Sequence, residues 1–131
     1  AMIFKVTVFP QNSVCMYGEE YDSFSILHVK TKNFISIWDC IQKNDRSYLD
    51  WYVKKYMIAE KCFLNSHTNP IPLPIIGGFQ TYGGTRRTIR LTDGITRTQW
   101  LIDHGAHSFP VYCPFYLKKE LEMAAVADAD S

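Results

Sequence analysis

The residues that could do chemistry are concentrated in one stretch, Arg86 to Pro114, where Asp93-Gly94-Ile95-Thr96-Arg97-Thr98 follows an arginine-rich run. Arg87 to Thr92 alternates, with Ile89 and Leu91 on one side and Arg86, Thr88 and Arg90 on the other, as in a half-buried strand. That strand should end at Asp93-Gly94. A helix is expected over Thr96 to His104, stopped by Gly105, and Phe109 to Cys113 has strand composition. A helix that opens at a glycine turn presents unpaired N–H groups and the positive end of its dipole, so its first turn suits an anion. Thr96, Arg97 and Thr98 would place two hydroxyls and a guanidinium fork there, a donor set matched to phosphate oxygens. The same residues also fit Asp93 as a plain N-cap, Gly94 as a turn residue and Arg97 as a solvated cation. Local physics leaves both readings open, since short Gly-x-x-Arg matches are common.

Arg86, Arg87, Arg90 and Arg97 fall within twelve residues against one acid, Asp93. The alternation sets Arg86 and Arg90 on one accessible face, and with Arg87 they are the candidates for contact with a DNA backbone. A solvated basic face is the alternative, because a net charge of +1 does not mark a nucleic-acid protein. Hydrolysis needs a positioned water, a base and usually a divalent cation, and Asp93, Asp103, His104 and His107 are the groups close in sequence. Asp103-His104-x-x-His107 is not a recognised metal spacing, so no metal ligand is named.

The run L-T-D-G-I-T-R-T-Q-W-L-I-D-H-G-A-H-S-F-P-V-Y-C, Leu91 to Cys113, resembles the phosphate-binding motif of the ParB/sulfiredoxin superfamily. There a strand leads to G-x-x-R at a helix start, then a glycine, then a short I/F-P-V strand. Asn69-Pro-Ile-Pro-Leu-Pro-Ile-Ile76 resembles the proline-bearing segment before that motif. Within the superfamily the sequence resembles the plasmid fertility inhibition group, which includes oncogenic suppression factors, over about its second half. The resemblance implies an α/β (α+β) ParB/sulfiredoxin-like fold, a small mixed sheet with flanking helices. It further implies a factor that hydrolyses ATP with Mg2+, cleaves DNA and blocks transfer of a rival mobile element, acting on a component of a conjugative or type IV transfer system. In that reading Asp93 and Arg97 are the catalytic candidates, and Gly94, Ile95, Thr96, Arg97 and Thr98 bind phosphate. Sulfiredoxins place a catalytic cysteine directly after the motif glycine, whereas Ile95 stands here, so reduction of a sulfinic acid is not expected. The alternative of a different class is a non-catalytic, nucleotide-switched DNA-binding or partner-binding module of ParB type.

The elements that must position this stretch fit one domain over residues 2–127, with Ala1 read as a cloning remnant and 128–131 as a tail. Apolar content of 47% with 15% aromatic residues argues for a folded globule. No apolar run approaches the roughly 20 residues that span a bilayer. Cys15, Cys40, Cys62 and Cys113 form no C-x-x-C pair, which suggests reduced thiols in a cytoplasmic protein rather than a zinc site, and the family resemblance implies a bacterial host. Ile3 to Phe9, Val14 to Tyr17 and Phe24 to Val29 read as strands, with an acidic, solvated turn at Gly18 to Asp22. Phe34 to Ile41 is ambiguous between strand and short helix. Ser47 to Lys61 carries Tyr48, Trp51, Tyr52, Lys55 and Tyr56 at helical spacing, with Asn44 or Asp45 as cap. That stripe is read as a core face, with nucleobase stacking as the alternative. Asn65 to Gly84 is a Pro- and Gly-rich loop-strand-loop passage without Walker-type spacing. Pro114 should open a final helix through Leu117, Leu121 and Ala125.

Overall fold

The computed structural model describes residues 1–10, 12–38, 46–82 and 86–126. Alternating apolar residues build its first hairpin. Strand β1 (Met2–Thr7) pairs antiparallel with β2 (Ser13–Gly18) from Met2↔Gly18 to Thr7↔Ser13, and Val6, Val14 and Met16 enter the core. The two-residue β4 (Ile71–Pro72) joins β2 in parallel through Met16↔Ile71. A second sheet has the order β3-β7-β5-β6. In it β3 (Phe24–Lys30) runs antiparallel to β7 (Ser108–Pro114), which is parallel to β5 (Ile75–Tyr82). The last strand, β6 (Arg86–Asp93), pairs antiparallel with β5, with register shifts between Ile75 and Gly78. The expected α+β class with a mixed sheet and flanking helices is therefore realised as two small mixed sheets.

The ambiguous apolar stretch is helical at its start: α1 (Thr31–Ile37) ends where Trp38 bridges Ile89. Cys40, the proposed caps Asn44 and Asp45, the Gly83-Gly84 pair and the tail lie outside the described residues. After β7, a 3-10 turn (Phe115–Leu117), α4 (Lys118–Leu121) and a π-type turn (Glu122–Val126) bury Leu117, Leu121 and Ala125, the three positions the periodicity selects. Among the described residues no helix is long and apolar enough to cross a membrane.

Helix α2 (Arg46–Leu64) departs from expectation. Among its described side chains only Ala59 and Phe63 are buried, while Trp51, Val53 and Ile58 are exposed. The aromatic stripe is thus not a core face. Tyr48, Tyr52 and Tyr56 are half-buried, with successive rings 6.3 Å apart along the helix. Periodicity dictates which side a helix offers, but whether neighbouring chain covers that side depends on how far the partner element reaches. Here the partner is α3 (Ile95–Asp103), only nine residues long. The contact is concentrated at Phe63, which stacks on Trp100 with ring centroids 4.3 Å apart and planes 13° from parallel. Trp100 stacks in turn on His104 at 3.9 Å. Higher on α2, the Tyr56 hydroxyl donates to Asp103 at 2.8 Å, and burial together with that bond raises its phenol well above the ordinary value.

The chain leaving α2 is clamped to β2. The Cys15 amide donates to Ser66 Oγ at 2.9 Å, and Ser66 is fully buried. A carbonyl can only accept, so the 3.0 Å contact between His67 Nε2 and the Ser13 carbonyl puts the proton on Nε2. Nδ1 is then left to accept from the Cys15 thiol at 3.4 Å. These bonds set where residues 65–72 emerge, and those residues form one wall of the site described below.

Truncating Phe63 to Ala should cost about 3–5 kcal/mol in denaturant unfolding, while Val53→Ala on the exposed side of the same helix should stay within about 0.5 kcal/mol. Equal costs would mean that α2 packs through the Val53 side as much as through Phe63. Burial pushes the Cys113 thiol from 9.0 up to about 11. A group that loses its proton more readily when unfolded weakens folding as pH rises, so stability should fall between pH 9 and 11. In Cys113→Ala that fall should be shallower, measured by the unfolding midpoint across pH.

Candidate functional site

Strand β6 ends at Asp93, and Gly94 turns the chain into α3 with φ +92°. A side chain there would be strained, and a Cβ would also lie 2.8 Å from the Pro74 Cα, so glycine is required both by conformation and by the close approach of the proline segment. No side chain caps α3. The Thr98 N–H closes the first helical bond on the Gly94 carbonyl at 2.9 Å, which leaves Ile95, Thr96 and Arg97 as the donors at the open end.

Arg97 is held from two directions. Its Nη1 donates to the Pro72 carbonyl at 2.8 Å, and its Nη2 pairs with Asp93 Oδ2 at 2.9 Å. The arginine side chain is 16% exposed, whereas that of Asp93 is 64% exposed. This geometry ties β4, the end of β6 and the start of α3 into one corner. The proline-bearing segment acts through a backbone oxygen rather than through its rings.

That corner opens into a cavity of about 660 Å3. It is lined by Thr92 to Arg97, by Asn65 and Asn69 to Pro72, and by Trp51, Lys55, Ile58, Ala59, Lys61 and Cys62 of α2. Lys55, Lys61 and Arg97 set three cations against the single carboxylate of Asp93. The volume falls within the range of small-ligand sites, and the mixture of apolar wall and convergent donors is typical of them.

Asp93, Gly94, Ile95, Thr96 and Arg97 all line the cavity, but Thr98 does not. Its side chain is fully buried with no hydrogen-bond partner for Oγ1 among the described residues, and it does not line the cavity. Thr98 is turned about 100° from Arg97 and lies three residues before Leu101, on the buried face of α3, so its side chain is directed away from the cavity. Asp103, His104 and His107 also lie outside it. The Asp103 carboxylate accepts from Tyr56 and from Gln99, each at 2.8 Å, and His104 Nδ1 donates to the Trp100 carbonyl. No cluster of metal-ligating side chains occurs among the described residues.

The arginines divide as well. Arg87 forks onto Glu120 with bonds of 2.7 and 2.9 Å and lies 5.3 Å from the Phe79 ring centre, so it is occupied by the C-terminal segment. Arg90 is exposed and donates to the Gly77 carbonyl at 3.2 Å. Thr88, expected beside Arg90 on the open face, is fully buried, because both faces of β6 are covered there. The side chain of Arg86 lies outside the described set. Sequence reasoning held Trp51 and Lys55 as part of a core face with base stacking as the alternative, and did not join Ile58, Lys61 and Cys62 to them as a wall of the site. The signal was present in the spacing of Trp51, Lys55, Ile58 and Cys62, which share one helical face.

Residues 26–125 match the model of a protein family described as plasmid fertility inhibition factor. No curated protein matches in sequence. The fold is similar to the crystal structure of the oncogenic suppression activity protein, a plasmid fertility inhibition factor, in its gold(I) cyanide derivative. That likeness has a TM-score of 0.79 and 22% identity, and covers 97% of this chain and 70% of the other.

Replacing Gly94 with Ala should destabilise the domain by at least about 1–2 kcal/mol, the cost of a left-handed residue with a Cβ. Gly105→Ala, also at positive φ but with 3.9 Å to its nearest neighbour, should cost less. A thermal melt of the two variants distinguishes conformation alone from conformation plus the Pro74 clash.

Proposed function

Because the chain belongs to the plasmid fertility inhibition factor family, we propose that it blocks transfer of a rival mobile element by hydrolysing a nucleoside triphosphate, ATP in the first instance, and cleaving DNA. It would act in the bacterial cytoplasm on DNA and on a component of the conjugative or type IV transfer system. The observation that carries the nucleotide reading is the uncapped start of α3 opening into a cavity with three cations and one carboxylate. Backbone N–H groups of Ile95, Thr96 and Arg97, the Thr96 hydroxyl and the Arg97 guanidinium supply phosphate donors at the positive end of the helix dipole. The ParB/sulfiredoxin placement belongs to the same proposal, as it rests on the G-x-x-R turn and the preceding proline segment.

Asp93 is exposed and already oriented by Arg97, which fits a role toward a divalent cation, since Mg2+ on a nucleotide commonly takes one or two carboxylates besides phosphate oxygens. Such a cation, when bound, offsets the charge that develops on the phosphoryl group. An incoming polyphosphate competes with Asp93 for the Arg97 fork, so binding should loosen the 2.9 Å pair and free the carboxylate to orient water. For DNA, the exposed Arg90 is the best-placed of the described arginines, while Arg87 must first give up Glu120.

The second reading is a non-catalytic, nucleotide-switched DNA-binding or partner-binding module. It is favoured by the cavity having no carboxylate or histidine besides Asp93 among its lining residues. Phosphate release with and without Mg2+ and DNA decides between the two: turnover that Asp93→Asn abolishes supports the enzyme, and nucleotide binding without turnover supports the switch.

Arg97→Ala should weaken ATP binding by about 1.5–3 kcal/mol, the worth of a hydrogen bond to a charged group, and unchanged affinity in a folded variant would remove Arg97 from the site. ATP with Mg2+ should raise the melting midpoint by several degrees at a hundredfold excess over Kd, where stabilisation is about 2.7 kcal/mol. Arg90→Ala should lower DNA affinity and flatten its salt dependence by about one phosphate contact, leaving nucleotide affinity unchanged.

A further inference from the structure

We infer that Trp51 on α2 is the nucleobase platform of this cavity, and that it gives a nucleoside triphosphate its advantage over bare polyphosphate. The inference rests on the phosphate reading of Gly94 to Arg97. The donors at the α3 start address phosphate oxygens, and an oxyanion end cannot tell ATP from any other triphosphate. Discrimination must come from another wall, and α2 supplies one with the required chemistry. Trp51, Lys55, Ile58 and Cys62 all line the cavity and follow one another at spacings of four, three and four residues. They therefore run along one helical face for about 16 Å at 1.5 Å per residue, a reach comparable with that of an extended nucleotide.

Trp51 is a large indole left 44% exposed, whereas Trp38 and Trp100 are buried. Tyr48 braces it with ring centroids 5.6 Å apart and planes tilted by 36°. An indole face in a cavity stacks a base through π overlap and dispersion, and it does so without reading the base edge. Lys55 lies one helical turn further along the same face and adds a cation to the lining of the cavity. Stacking of this kind predicts a modest order, ATP and GTP above CTP and UTP, because purines present the larger face.

The test is calorimetric titration of ATP and of inorganic tripolyphosphate, both with Mg2+, into wild-type protein, Trp51→Ala, Trp51→Phe and Arg97→Ala. Wild type should bind ATP about tenfold more tightly than tripolyphosphate, in line with a base–aromatic stack. Trp51→Ala should bring ATP down to the tripolyphosphate level without changing tripolyphosphate itself, and Trp51→Phe should keep most of the difference. ATP should quench tryptophan emission in wild type and not in Trp51→Ala, since the other two indoles are buried. If Trp51→Ala binds ATP as wild type does while Arg97→Ala weakens both ligands, the platform is refuted and the phosphate site stands. Equal losses of ATP and tripolyphosphate in a folded Trp51→Ala also refute it, as a structural effect. If neither ligand binds wild type, the phosphate reading falls and the platform falls with it.

Discussion

The functional face depends on one stack of three rings. Phe63, Trp100 and His104 lie in succession at 4.3 and 3.9 Å, with planes 13° and 15° from parallel. Phe63 is one of two buried side chains among those described on a nineteen-residue helix, so the stack does most of the work of holding α2 against α3. Offset aromatic pairs contribute beyond their buried area, and the large faces also restrict sliding. Without that register the α2 wall would part from the α3 turn, and the cavity would become an open surface.

The second constraint is electrostatic and local. Arg97 belongs to α3 but is gripped by a carbonyl of β4 and a carboxylate at the end of β6. A guanidinium whose fork is already oriented loses less freedom when it meets phosphate than a solvated one would. In the proposed phosphate site the ligand would compete with Asp93 for the same donors. Binding would then release Asp93 through a single residue, which suits a switch as well as turnover.

Part of this was legible in the chain. Strand β6, the Asp93-Gly94 turn, the α3 start and the β7 strand follow from local alternation and from a glycine free to take the left-handed turn. The resemblance to the plasmid fertility inhibition group agrees with the family match over residues 26–125. Local rules also gave false guidance at Thr98, where adjacency to Arg97 in sequence suggested a shared ligand. Helical rotation instead sends it into the core. The Arg87–Glu120 pair was not legible for a different reason: Glu120 lies 33 residues away, and no periodicity reports a partner at that distance.

What the sequence determined by itself is the set of elements with local causes: the hairpin, the arginine strand, the glycine turn and the helix that it opens. These rest on interactions between residues a few positions apart, so spacing is enough to reveal them. What only the tertiary structure decided is which surfaces meet. Whether the aromatic stripe of α2 is covered by the core or left half-open depends on the length of α3 and the place of Phe63 on Trp100. The same holds for Pro72, whose carbonyl reaches Arg97 across 25 positions of chain. Packing between distant segments is set by shape and burial over the whole core, which no local window contains.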